Sequence, residues 1–164
     1  MKKRYIVLIV LAVILLIAGL GIYKMYKFLG KLSVSDVSNY SEEYDKKDMQ
    51  RFEFFPSEIP ENATDVSFHS YSGMQSHEGG FMLQITLPEE EIEKYLEEYE
   101  DDLFVEEYYS QYPGAVYEFV DTEDKDRYVV YSDYQYGRGF IIDRETNTIL
   151  FFYDEYKCVG DNVN

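Results

Sequence analysis

The hydrophobic positions form one unbroken run near the N-terminus and several shorter, periodic segments further along the chain. The run extends from Tyr5 to Tyr23 and contains no charged side chain. Because a helix rises about 1.5 Å per residue, the run would span about 28 Å, close to the thickness of a bilayer core. In lipid, a lone segment satisfies its backbone hydrogen bonds only as a helix. The run therefore predicts a transmembrane anchor within residues 1–32, in contact with the lipid bilayer.

A cleaved signal peptide is the alternative interpretation of this segment, and secretion would follow from it. Lys2, Lys3 and Arg4 could form its charged head, and Gly19 and Gly21 could be the small residues of a cleavage site. The apolar run is longer than that of a signal peptide, which favours a retained anchor. Basic residues flank the run equally on both sides, but the short N-terminal stub favours a cytoplasmic N-terminus and an extracytoplasmic C-terminal domain.

Two segments after the anchor alternate with the period of a β-strand. Val66 and Phe68 share one face of the first segment, and residues 81, 83, 85 and 87 share one face of the second. The glycine-containing stretch from Ser72 to Gly80 lies between them. The pattern predicts a β-hairpin with a long loop.

The period changes to that of a helix after Pro88. Three glutamates follow this proline, where negative charge favours the start of a helix. An apolar stripe comes next, and we expect the helix to run to about Tyr109. The stripe consists of Ile92, Tyr95, Leu96, Tyr99 and Leu103.

Four further strands are predicted after this helix, at Val116–Val120, Tyr128–Ser132, Gly139–Asp143 and Ile149–Tyr156. The element order is then ββαββββ. Local hairpins around one helix predict an α+β domain in two layers, with an antiparallel sheet of about six strands and one amphipathic helix on one face. This domain covers residues 51–164, and the polar residues 33–50 are predicted to be a juxtamembrane linker.

The layout resembles small exported proteins of Gram-positive, Clostridia-like bacteria. The resemblance rests on the lysine-rich start, the single apolar helix, the phrase Phe55-Pro56-x-x-Ile59-Pro60, and the strand and glutamate-rich helix that follow. It implies an extracytoplasmic location and no particular activity. The segment from Ile141 to Leu150 also looks like the last hairpin of PepSY-type envelope domains.

Charge is distributed very unevenly along the chain. All 32 acidic side chains and nine of the 15 basic ones lie after residue 35. This acidic field disfavours binding to nucleic acid and would attract cations or a basic protein or peptide. The alternative interpretation is that the surface acidity supplies solubility alone. Disorder is not indicated, because the chain contains 18 Tyr and 11 Phe. Cys158 is the single cysteine, so one chain forms no internal disulfide.

The tyrosines suggest a binding surface, because Tyr is favoured where a surface contacts a partner. The alternative is that these aromatic residues simply fill strand positions. The candidate surface consists of Tyr108, Tyr109, Tyr112, Tyr131, Tyr134, Tyr136 and Arg138.

Catalytic and metal-binding patterns are weak. His69, His77 and Glu78 could ligate zinc, but their spacing matches no standard zinc motif. The acidic stretch Asp121–Asp126 lacks the glycine of a calcium loop and is typical of a solvated turn. The sequence indicates no cofactor or metal and favours a non-enzymatic domain.

Several functional hypotheses remain open. The leading one is a membrane-tethered domain that binds a protein, a peptide or an envelope component. An immunity-like protein that neutralises a basic toxin is one variant of it. The alternatives are an envelope enzyme that uses carboxylates or a histidine site, and a subunit that acts mainly through its transmembrane helix.

Overall fold

The computed structural model of the protein describes residues 14–25, 33–72, 79–106, 112–134 and 137–154, with the backbone alone at positions 115, 117, 133 and 134. These residues separate into two compact units, with the boundary between Ser33 and Val34. The first unit contains the helix α1, residues 14–25, whose large apolar side chains are exposed. No helix among the described residues is both long enough and apolar enough to cross a membrane. Residues 5–13 of the predicted anchor lie outside the described part of the chain, so the anchor stays a prediction.

Six strands of the described chain form one sheet, in the order β1-β2-β3-β6-β5-β4. From β2 to β4 across the sheet, every neighbouring pair of strands is antiparallel. The antiparallel sheet and the α+β class predicted from the sequence are confirmed. The strands are β1 (Ser33–Val34), β2 (Thr64–Tyr71), β3 (Gly80–Thr86), β4 (Tyr128–Tyr134), β5 (Arg138–Asp143) and β6 (Thr148–Asp154).

Three further helices accompany the sheet in the described residues: α2 (Tyr40–Lys46), α3 (Glu89–Glu98) and α4 (Gly114–Phe119). Single 3-10 turns occur at Val37–Asn39, Met49–Arg51 and Lys125–Arg127.

The first face of the sheet carries the larger core. The predicted alternation of β3 is confirmed, because Phe81, Leu83 and Ile85 are fully buried on this face. α3 packs here through its apolar stripe, and the Tyr95 ring lies 5.9 Å from the ring of Phe151 on β6. An aromatic core of this kind supplies most of the hydrophobic stabilisation of a small domain.

Residues 40–49, within the stretch predicted as a linker, also pack onto the first face. Tyr40, Tyr44 and Met49 are buried, and the Tyr40 ring meets the Phe68 ring edge-on at 5.3 Å. Tyr40 and Tyr44 are one helical turn apart, so α2 directs both rings into the core. So short a stripe is inconspicuous among polar residues, which explains why the sequence suggested a linker.

The second face is covered by α4, so the prediction of a single helix on one face is wrong. Val116 and Val120 of this segment are buried against Phe152 and Leu150 of β6. Residues 116–120 were predicted as a strand, and this too is wrong. Their apolar positions 116, 119 and 120 fit a helix as well as alternation, and Pro113 at the N-cap favours the helix.

α3 ends at Glu98, well before the predicted end at Tyr109. Its last turn contains no basic residue, and acidic side chains fill positions 97, 98, 100, 101 and 102. Negative charge at a helix C-terminus opposes the helix dipole, which accounts for the early end. The stripe residues Tyr99 and Leu103 nevertheless pack against the core, as predicted.

Candidate binding groove

The structure describes three side chains of the predicted tyrosine surface. Tyr108, Tyr109 and Tyr136 lie outside the described residues, and the side chain of Tyr134 does too. The described members are Tyr112, Tyr131 and Arg138. They do not converge on one patch, because Tyr112 belongs to the core of the second face and Tyr131 packs against that of the first.

Tyr112 is 3 % exposed, and its ring meets Phe152 edge-on at 5.7 Å. Tyr131 is half-buried and stacks on Phe140 at 5.1 Å. The Arg138 guanidinium lies over the Phe52 ring at 4.7 Å. These side chains therefore contribute packing to the domain itself.

Tyr99 joins this aromatic cluster from the end of α3. Its ring lies 4.8 Å from that of Tyr131. Burial raises the pKa of Tyr99 to about 12, and the neighbouring Glu98 carboxylate and Tyr131 hydroxyl add to the shift. The hydroxyl therefore stays protonated at neutral pH.

An open groove of about 820 Å³ lies between α3, the chain that follows it, and β4. It lies within the second unit. We call it the α3–β4 groove, and it is lined by Glu93, Leu96, Glu97, Glu100, Leu103, Phe104, Val105, Val129 and Arg144.

The floor of the α3–β4 groove is apolar. Leu96 and Leu103 are half-buried against the core, and Val129 of β4 is buried. Phe104 and Val105 are 39 % and 48 % exposed. Two adjacent apolar side chains that remain open to solvent mark a contact surface more often than an isolated one does.

The rim of the groove is acidic. Glu93, Glu97 and Glu100 line it and are all exposed. Lys94, the basic residue of α3, forms a salt bridge of 2.7 Å with Glu91. Arg144 is the basic side chain of the lining. The arrangement suits a ligand with apolar groups for the floor and positive charges for the rim.

Sequence reasoning missed this groove because it extended the helix through residues 103–105. The signal was the apolar run Leu103-Phe104-Val105 directly after two aspartates. Three consecutive apolar residues do not fit the single apolar face of an amphipathic helix, which indicates that the chain leaves the helix there.

A second depression, of about 210 Å³, lies on the other face of the sheet. Ser67, His69, Gln84 and Glu118 give it a polar lining. His77 and Glu78, the other candidate zinc ligands, lie outside the described residues. In the part of the chain that the structure describes, no three His, Cys, Asp or Glu side chains are grouped so that they could hold a metal ion.

The acidic stretch at residues 121–126 forms a turn in the structure. The Asp121 carboxylate accepts a hydrogen bond of 3.0 Å from the Glu123 N–H. A 3-10 turn follows at Lys125–Arg127.

Two buried carboxylates hold elements together and were not singled out from the sequence. Glu43 of α2 is 5 % exposed and accepts hydrogen bonds from Lys46 and from Ser70 of β2. Burial acts to raise the pKa of Glu43, but these hydrogen bonds outweigh it and the pKa lies below its ordinary value. The hydrogen bond from Ser70 to Glu43 therefore links α2 to β2 of the sheet.

Asp143, at the end of β5, is the second of these buried carboxylates. It forms a salt bridge with Arg127 and accepts the Glu145 N–H at 3.0 Å. Burial acts to raise its pKa, yet the bonds from Arg127 and Thr146 hold the pKa below its ordinary value. In sequence these two acids look like any of the others.

Comparison of the chain with protein-family models, curated proteins and solved structures finds no match. The functional argument therefore rests on the residues and geometry of the domain itself.

Proposed function

We propose that this chain is a membrane-tethered, non-enzymatic protein whose extracytoplasmic domain binds a positively charged protein or peptide. The observation that carries the proposal is the acidic face of α3. Glutamates at positions 89, 90, 93, 97 and 98 are exposed there, and the one lysine of the helix is paired with Glu91. Such a one-sided field attracts cationic partners and accelerates their association.

The proposed tether rests on the sequence. The run from Tyr5 to Tyr23 has the length and apolarity of a membrane span, with lysines and tyrosines at both ends. The exposed apolar side chains of α1 agree with a helix whose surroundings are apolar.

Alkaline extraction of membranes from cells that express the full chain tests the tether. We expect the protein to stay in the membrane pellet, because a spanning helix does not dissociate when peripheral contacts are lost. The variant Leu11→Arg/Leu15→Arg is expected to appear in the soluble fraction. The reason is that a charge at the centre of a span costs about 2.5–3.5 kcal/mol on insertion scales. Ser57→Arg/Asn62→Arg adds the same charges within the domain and serves as control. Release of the unaltered chain would contradict the tether.

Binding is tested on the full chain in nanodiscs of zwitterionic lipid. A lysine-rich peptide and a glutamate-rich peptide of equal length are the probes, and empty nanodiscs are the blank. We expect binding of the lysine-rich peptide alone, and its loss as salt rises from about 0.1 M to about 1 M, because the Debye length falls from about 10 Å to about 3 Å. Equal binding of both peptides, or of neither, would contradict the proposal.

A further inference from the structure

The α3–β4 groove lies beside the acidic face of α3 and has an apolar floor. We infer that it is a docking site for a basic amphipathic helix of a partner protein, an inference that rests on the proposed function. The apolar side chains of that helix lie on the floor at Phe104 and Val105, and its basic residues face the glutamate rim.

The spacing of the rim supports a helical ligand. Glu93 and Glu97 are four residues apart on α3, and Glu100 lies in the turn that follows the end of the helix. At a rise of about 1.5 Å per residue, Glu93 and Glu97 lie about 6 Å apart along the helix axis. Lysine or arginine residues four apart on a neighbouring helix meet both of these carboxylates, and Glu100 extends the acidic rim beyond them. The apolar side chains of such a helix recur at i, i+3 and i+4, so they form one face, and this face packs on the floor of the groove.

The sheet edge argues against an extended ligand at this place. β4 is the outermost strand on this side of the sheet, and an added strand would need its outward-facing backbone groups. Val130, in the middle of β4, already exchanges both backbone hydrogen bonds with Phe104. A helix has no such need, because it satisfies its own backbone groups and binds through side chains alone.

The floor and Arg144 argue against a simple polycation. Apart from α1, the exposed large apolar side chains among the described residues are Val37, Phe104 and Val105, and two of these three are neighbours in the groove. A ligand with positive charges on all sides would leave Phe104 and Val105 exposed to water, and the Arg144 guanidinium would repel it. Both features favour a ligand with one apolar face and one basic flank.

The test uses designed peptides of about 18 residues, five helical turns, and the full chain in zwitterionic nanodiscs. One peptide has leucines along one face and lysines on its flank, and the other has the same composition in an order without an apolar face. We expect the amphipathic peptide to bind at least about tenfold more tightly, which corresponds to the burial of two or so apolar groups. Equal affinity for the two peptides would overturn the helix as occupant.

Two triple variants locate the site. Glu93→Gln/Glu97→Gln/Glu100→Gln removes the rim charges, and Glu58→Gln/Glu61→Gln/Glu123→Gln removes as many charges from exposed positions outside α3 and outside the groove lining. All six positions are exposed, so both variants are expected to keep the fold, which circular dichroism and thermal melting check. We expect the rim variant to bind the amphipathic peptide about tenfold more weakly, and the control less than about twofold.

The outcomes separate this inference from the proposed function. Equal weakening by the two variants would mean that the peptide follows the overall field, so the groove would be refuted while binding of basic partners would stand. No weakening by either variant would refute both.

Discussion

Phe104 and Val130 exchange both of their backbone hydrogen bonds. The Phe104 N–H lies 3.0 Å from the Val130 carbonyl oxygen, and the Val130 N–H lies 2.9 Å from the Phe104 oxygen. This pair joins the chain after α3 to the outer edge of β4. It thereby places Phe104 and Val105 on the floor of the groove.

Phe104→Pro is expected to release this segment from β4. Proline has no N–H, so the Val130 carbonyl loses its donor and the reciprocal bond weakens. We expect the Val130 amide to exchange with solvent at least about tenfold faster, the equivalent of one net hydrogen bond. Hydrogen exchange followed by NMR measures this. In the control Phe104→Ala the backbone bonds remain, so the Val130 amide should stay protected; equal exchange in both variants would show that the bridge does not hold the segment.

Stability in acid depends on Asp143. Its folded-state pKa lies below the ordinary value because of Arg127 and the turn it caps. The folded state thus binds this proton less tightly than the unfolded chain. The resulting stabilisation is present above about pH 4 and is lost as pH falls through the folded-state pKa. Asp143→Asn is expected to lower the free energy of unfolding at neutral pH by about 1–3 kcal/mol and to flatten its decline in acid. Urea denaturation at several pH values measures both effects.

Glu145→Gln is the matched control for this pair. Glu145 also contacts Arg127, at 2.7 Å, but its side chain is 67 % exposed. We expect a loss of at most about 1 kcal/mol. If the two variants lost equal stability, the burial of Asp143 would not be the source of its effect.

Stability in alkali depends on Tyr99. Its pKa is raised to about 12 by burial and nearby negative charge, whereas a tyrosine in the unfolded chain titrates near pH 10. The folded state therefore retains a proton that the unfolded state loses. Its stabilising contribution is complete below about pH 10 and declines as pH rises further. Tyr99→Phe should make the decline in unfolding free energy between about pH 10 and 12 shallower. An unchanged slope in urea denaturation would contradict this assignment.

Gly139 is required by the backbone at the start of β5. Its φ is +154°, and a Cβ there would lie 2.0 Å from the Tyr131 carbonyl oxygen. Because that contact is with backbone, Gly139→Ala can be relieved only by moving the strands, and we expect a loss of about 1–3 kcal/mol in a thermal or urea melt. At Gly114 of α4 a Cβ would meet no atom within 4 Å, so Gly114→Ala should leave stability unchanged or raise it. Equal stability of the two variants would contradict the steric argument.

The sequence predicted those elements whose periodicity was long and unambiguous. The alternation in β3 and the five-residue stripe from Ile92 to Leu103 specified which side chains face the core. For two short segments the sequence did not predict the element that the structure shows. Positions 116–120 fit two periods equally well, and α2 shows only one pair of aromatic residues within a polar stretch. Tertiary packing determines whether such a segment becomes a helix or a strand, and a short stretch of sequence carries no information about that packing.

The candidate site was harder to predict than the fold. Tyr112 and Tyr131 looked like surface residues because Tyr is amphipathic, yet both serve packing. The α3–β4 groove depends on where α3 ends and on the bridge from Phe104 to a strand far along the chain. The acidic residues at the end of α3 are visible in the sequence, but the bridge is a long-range contact that no local pattern contains.

The position of β6 has a consequence for how the domain is made. β6 lies between β3 and β5 in the sheet but follows both in the chain. A ribosome therefore releases every neighbour of this central strand before the strand itself. Until residues 148–154 emerge, the β2–β3 hairpin and the β4–β5 hairpin have no common partner, and pairings of such long sequence separation form slowly. The two hairpins of the nascent domain therefore join into one sheet only after residues 148–154 have emerged.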